Sequence, residues 1–147
     1  MIESEQRIAV VAEALTWAGT PWRHHSRVKG AGVDCAMLVA EVFERCGLFP
    51  RVDPGPYAKD AHLHRDGERV LEQLEQFAVR RPDGEEPQPG DVALFRYGRS
   101  LSHAGIVTSY PYLIHAWIGI GVTVDSVVAN SDLSRRLGGY WNPWGKR

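Results

Sequence analysis

Gly30-Ala31-Gly32-Val33-Asp34-Cys35-Ala36-Met37-Leu38-Val39-Ala40-Glu41-Val42-Phe43 runs from a glycine-punctuated turn, through Asp-Cys, into an apolar run at helical spacing. Asp34 reads as the N-cap, because a carboxylate there accepts a backbone N–H of the first turn. Cys35 follows at the positive end of the helix dipole. That position favours thiolate over thiol, and the thiolate is the nucleophilic form. Glycines ahead of it let the backbone pass close beneath a bound substrate. The competing reading is a buried helical cysteine that packs as a small hydrophobe. Two histidines far downstream weigh against it.

Upstream, residues Glu3 to Trp17 read as an amphipathic helix with Ile8, Val11, Ala12 and Leu15 on one stripe, stopped by Gly19-Thr20-Pro21. Trp22 to Lys29 is a polar loop leading to Asp-Cys. Its adjacent His24 and His25 have no further ligand nearby, so no metal is expected. Downstream, the Cys35 helix is expected to end at Gly47, and three prolines and a glycine between Leu48 and Tyr57 make a loop. Gly67 to Arg80 reads as a second amphipathic helix with Val70, Leu71, Leu74 and Phe77 inward. His62 and His64 read as surface residues, and Arg81 to Gly90 as a connector.

The pattern then changes from helical to strand-like. Strands are expected over Asp91 to Tyr97, His103 to Thr108, Tyr112 to Trp117 and Gly121 to Val127, with a last short one in Gly138 to Trp144. Helices first and an antiparallel sheet after make an α+β domain. His103 and His115 have the same parity on consecutive strands. An odd hairpin loop centred on Ser109 would oppose them directly, about 5 Å apart on one face. Pro111, which cannot donate to a ladder, favours such a loop. Cysteine chemistry needs a base and a group to orient it, and these two imidazoles supply both.

Composition excludes several classes. The chain has 147 residues, enough for one ordinary domain over 1–147, and a formal net charge of -1, so it lacks a footprint for nucleic acid or anionic membrane. Cys35 and Cys46 would lie about 16 Å apart along one helix, beyond the roughly 7 Å that a disulfide allows. The acidic start, Met1-Ile2-Glu3-Ser4-Glu5, is unlike a signal peptide, and no apolar run approaches a membrane span. These features imply a soluble chain made in the cytoplasm and delivered to any outside target by another route. Arg23, Arg27, Lys29 and Arg96 are candidate partners for substrate carboxylates.

Four motifs in order carry a family resemblance: Asp34-Cys35-Ala36-Met37-Leu38-Val39, Pro89-Gly90-Asp91-Val92-Ala93-Leu94-Phe95, Ser102-His103-Ala104-Gly105-Ile106-Val107, and Ile114-His115-Ala116. From Thr16 to about Val127 the chain resembles the NlpC/P60 cysteine peptidases. Gly19-Thr20-Pro21-Trp22-Arg23-His24 looks like the phage-type cell-wall branch. The resemblance implies a papain-like fold, with the nucleophile at a helix start packed on an antiparallel sheet. It implies hydrolysis of peptidoglycan stem peptides at the D-γ-glutamyl–diamino-acid bond, with Cys35 as nucleophile, His103 as base and His115 as the orienting residue. Trp22, His24, Asp34 and Ser102 are the implied substrate-binding residues, and no cofactor is implied. Ala36-Met37 stands where members commonly have Ser-Gly, and Trp22 where they often have Tyr, whose hydroxyl an indole cannot copy because it only donates. Two other readings keep the fold. One is a plug or scaffold module among the proteins of a phage tail-like assembly. The other is an amidase or acyltransferase acting on another γ-glutamyl or acyl substrate.

Overall fold

In the computed structural model, which describes residues 1–50 and 68–145, helix α1 (Glu3–Leu15) buries Arg7, Val10 and Ala14, followed by Trp17. These residues recur at three- and four-residue steps and form a stripe of their own. The expected stripe of Ile8, Val11, Ala12 and Leu15 is therefore corrected: Ile8 is 69% and Leu15 45% exposed. The cause is electrostatic. Arg7 reaches inward to the fully buried Asp91 at 2.9 Å, and also to the Pro89 carbonyl and Asn142, while its guanidinium stacks on Trp144. The stem of an arginine serves as core while its head is paired.

A small antiparallel pair, β1 (Arg27–Val28) and β2 (Gly32–Val33), leads into α2 (Cys35–Arg45). Helix α2 buries Met37, Leu38, Val42 and Phe43. It ends where glycine allows: Gly47 has φ 71°, its N–H bonds the Glu44 carbonyl, and Leu48 N–H bonds Phe43. Helix α3 is Glu68–Glu75, shorter than expected, because Val79–Arg80 forms strand β3 against Asn142 and Trp141. Leu74 is buried and Phe77 stacks on Phe49. The side chains of Val70 and Leu71, the residues His62 and His64, and most of the Leu48–Tyr57 loop lie outside the described residues.

The remaining strands are β4 (Val92–Tyr97), β5 (Ser100–Ser109), β6 (Tyr112–Trp117), β7 (Gly121–Ser126) and β8 (Leu137–Asn142), with the short helix α4 (Ser131–Arg136) before β8. They form a six-stranded antiparallel sheet in the order β3-β8-β4-β5-β6-β7. The expected meander makes up β4-β5-β6-β7, ending at the β7 edge, and the tail strand β8 lies between β4 and β3. One face, with Leu94, Ala104, Ile106, Ile114 and Ala116, packs on α1 and α2. The other, with Ala93, Phe95 and Leu113, packs on Leu133 of α4. Beyond β7, Gly19 N–H bonds the Val122 carbonyl and Val122 N–H bonds Thr20. Gly121 permits this approach, since a Cβ there would lie 2.6 Å from the Thr20 oxygen. Among the described residues no helix is long and apolar enough to cross a membrane.

Candidate active site

Asp34 sits at the head of α2 in extended conformation and spends both carboxylate oxygens on backbone. Oδ1 accepts from Met37 N–H at 2.9 Å and Oδ2 from His25 N–H at 2.6 Å. The first bond caps the helix. The second pins the Trp22–Lys29 loop to its start, aided by Val33 N–H to Pro21 and Arg23 N–H to Val33. Arg27 is paired with Glu41 and Glu44 of α2, and Lys29 with Glu13 of α1, so these two cations tie the loop to the helices rather than stand open to a substrate carboxylate. Trp22 is half-buried, bridged to Val33 and packed on the α2 core; His24 lies 6.4 Å from its ring.

Cys35 is half-buried and approaches strand β5 at its backbone, with Sγ 3.6 Å from the Ser102 carbonyl oxygen. Burial, and next the charge of Asp34, push the thiol up from 9 to about 12, against the pull of backbone N–H groups of Ala104, Ala36 and Cys35 itself. The resting thiolate expected from the helix dipole is thus corrected. The dipole is outweighed by desolvation and by the capping carboxylate one residue away. Ser102 Oγ is buried and has no hydrogen-bond partner among the described residues.

His103 and His115 share the α4 face of the sheet. His103 Nε2 lies 2.7 Å from His115 Nδ1, and His115 Nε2 lies 2.9 Å from Asp125 Oδ2. The expected direct opposition of residues 103 and 115 is corrected: Gly105 stands opposite His115, and His103 is its diagonal neighbour. The loop is also different. Ser109 pairs with Tyr112 around a two-residue Tyr110-Pro111 turn, and Thr108 is an extra residue between Val107↔Leu113 and Ser109↔Tyr112. The two-residue turn alone would turn the rings to opposite faces, and the one-residue bulge restores the common face. Gly105 gives His115 its room, since a Cβ there would lie 3.2 Å from the His115 Cβ.

Aromatic rings enclose the pair. Phe95, Tyr97 and Trp117 each lie 5.8 Å from His103, and Trp117 lies 4.9 Å from His115. Burial lowers His103 to about 3, with a smaller push from His115 and an opposing pull from Asp132. Burial also lowers His115, partly offset by its bond to Asp125. Both imidazoles are therefore neutral near pH 7.

The sequence profile of the family described as NlpC/P60 matches residues 15–137. The chain belongs to the NlpC/P60 family. Solved NlpC/P60 structures have the same α+β arrangement. A lipoprotein-like NLP/P60 protein from Staphylococcus aureus subsp. aureus Mu50 is 20% identical with TM-score 0.68, over 97% of this chain and 42% of that one. The NlpC/p60 domain of the peptidoglycan hydrolase SagA is 20% identical with TM-score 0.62, over 92% and 97%. The peptidoglycan hydrolase RipB of Mycobacterium tuberculosis is 17% identical with TM-score 0.62, over 97% and 67%. The chain spans about two fifths of the Staphylococcus protein and of an NlpC/P60 protein from Bacillus cereus ATCC 10987. No curated protein matches the sequence.

Asp91 of the NlpC/P60 Pro89-Gly90-Asp91 motif is part of the scaffold, held between Arg7 and Arg81. Asp125 is the residue at the site that motif reading misses. Its signal is parity: an odd-numbered carboxylate on the strand after His115, and so on the same face of the sheet.

Proposed function

We propose that the protein is a thiol peptidase that hydrolyses peptidoglycan stem peptides at the D-γ-glutamyl–diamino-acid amide bond, residues 1–147 forming one catalytic domain. The observation that carries this reading is the hydrogen bond between His103 and His115, with His103 next to Ser102, the residue of β5 whose carbonyl the Cys35 thiol approaches. Family membership supports it, as do SagA and RipB, which share the fold and are named peptidoglycan hydrolases. The loop Gly19-Thr20-Pro21-Trp22-Arg23-His24 supports the phage-type branch.

The steps follow from neutral groups. His103 Nδ1, the ring nitrogen not engaged by His115, takes the Cys35 proton as the sulfur attacks the amide carbon. The carbonyl oxygen gains the negative charge, and the Cys35 backbone N–H at the helix start donates to it. The tetrahedral intermediate collapses to a thioester, and the imidazolium gives its proton to the leaving amine. His103 then takes a proton from water, whose oxygen attacks the thioester, and Cys35 leaves as thiol. By the family resemblance Trp22, His24 and Ser102 belong to the substrate's approach; Ser102 Oγ is buried on this strand and has no partner among the described residues.

Incubating the protein with purified sacculi and with casein, followed by mass spectrometry of released peptides, tests the reading. Muropeptides cut after D-γ-glutamate are expected from the parent and none from Cys35→Ala. His103→Ala is expected to lose at least about 100-fold, and His115→Asn to retain part of the activity. Casein cleavage without new muropeptides, or an active Cys35→Ala, would reject it.

A further inference from the structure

We propose that Asp125 is a positioning residue that sets the protonation pattern of both histidines, so that a three-member hydrogen-bonded chain runs from Asp125 through His115 to His103, the base assigned to Cys35. The inference rests on the peptidase reading for its kinetics alone.

The geometry is a straight diagonal. On β5 and β6, Gly105 faces His115; on β6 and β7, Thr123 faces His115. His103 lies two residues from Gly105, and Asp125 two residues from Thr123, toward opposite ends of the sheet. The three side chains therefore step across β5, β6 and β7 along one line, joined by contacts of 2.7 and 2.9 Å.

Hydrogen-bond logic then runs from one end to the other. A carboxylate only accepts, so His115 Nε2 carries the hydrogen and donates to Asp125. Neutral His115 then has a bare Nδ1, which accepts from His103 Nε2–H. Neutral His103 is left with its lone pair on Nδ1, the nitrogen needed to receive the Cys35 proton. Each tautomer is dictated by the next group, and Asp125 is where the sequence starts. When the proton leaves sulfur for His103 Nδ1, the new positive charge lies at one end of this chain and the carboxylate at the other. The proton stays on His103; Asp125 accepts the same hydrogen bond throughout. His115 is fully buried while the Asp125 side chain is 31% exposed, so the negative charge keeps its hydration as it orients a dry imidazole.

Other charges near the pair have other duties. From β4, Tyr97 faces His103, and its ring carries the Arg136 guanidinium. From α4, Asp132 pulls on His103 but is bonded to Arg135 and Arg136. From α2, Asp34 raises Cys35 and is bonded to backbone. Asp125 is the carboxylate bonded to His115.

The test uses Asp125→Asn, which keeps an acceptor oxygen without the charge, and Asp125→Ala, which keeps neither. Three readouts are taken: muropeptide release against pH, Cys35 alkylation by iodoacetamide at fixed pH, and side-chain ¹⁵N spectra of the histidines. Expected for Asp125→Ala is a loss of about 10- to 100-fold in kcat with KM within about twofold, and a smaller loss for Asp125→Asn. Alkylation slows in both, because the imidazolium that accompanies the thiolate has lost its counter-charge. The acid limb of the rate profile moves to lower pH for the same reason, a shift that a merely structural role would not produce. In ¹⁵N spectra His115 is the Nε2–H tautomer in the parent and loses that preference in Asp125→Ala. Alkylation rates and tautomers unchanged in both folded variants would overturn the proposal. If the parent releases no muropeptides the peptidase reading fails, and alkylation with the tautomers still decides the role of Asp125.

Discussion

Cys35 and His103 are displaced in opposite directions by one cause, the loss of water around both. The consequence is a defined pH range for folding. His103 falls to about 3 in the folded chain against 6.5 in the open one. The unfolded chain therefore binds that proton first, and stability declines as pH drops from about 6.5 toward 3. Cys35 is raised to about 12 against 9, so the unfolded chain releases its proton first. Stability is whole below about 9 and declines as pH rises toward 12. Each unit of displacement corresponds to roughly 1.4 kcal/mol at most. Thermal melts of the parent and Cys35→Ala from about pH 5 to about pH 11 check this. Cys35→Ala is expected to show a shallower alkaline decline and an unchanged acid one; coincident alkaline limbs would contradict it. The nucleophile's position is legible in sequence, because Asp-Cys before an apolar helix is a local signal. Its protonation state is not, because that depends first on burial, and burial is a tertiary property.

At the scale of elements, the site depends on counting residues between strands. The parity of residues 103 and 115 in the sequence makes them candidates for one face. The device that delivers this is a two-residue turn with a bulge at Thr108, not an odd loop. Val107-Thr108-Ser109 contains no glycine and nothing else that announces a bulge, so sequence supplies the requirement without the means. Deleting Thr108 removes the extra residue yet leaves Val107 opposite Leu113. Muropeptide release within about threefold of the parent is expected. A loss beyond about tenfold in a variant that still melts cooperatively would contradict the register argument. The end of α3 is not legible for a similar reason. Val79 and Arg80 carry helical periodicity forward, but β8 offers them strand partners that lie more than sixty residues away in sequence.

At the scale of the whole molecule, one carboxylate ties the chain together. Asp91 is fully buried and bonds Arg7 of α1, Arg81 of the connector and the Gln88 N–H, while Arg7 reaches on to Asn142 of β8. A family motif thus proves to be a fastening between the first helix, the sheet and the last strand. The face of α1 was illegible because an arginine counts as polar in any periodicity, whereas here its charge is what draws the helix inward. Asp91→Ala leaves two guanidinium groups without their buried counter-charge, and breaking a buried pair in this way costs about 3–5 kcal/mol. A Tm lower by roughly 10 °C, measured by calorimetry, is expected for a chain of this size. A fall of under about 2 °C would show the fastening to be dispensable.

The strap at Gly19 and Thr20 has a consequence beyond the fold. It occupies the outward backbone groups of Val122 on β7, while at the opposite side the Arg80 guanidinium bonds the Gly138 carbonyl and Arg81 N–H bonds Tyr140 on β8. A six-stranded antiparallel sheet with open margins is a template on which further copies assemble edge to edge. Here loop and side-chain donors take part of those positions, at Val122 on β7 and at Gly138 and Tyr140 on β8 beyond the short β3, so that each plug removes a place where a further strand could pair.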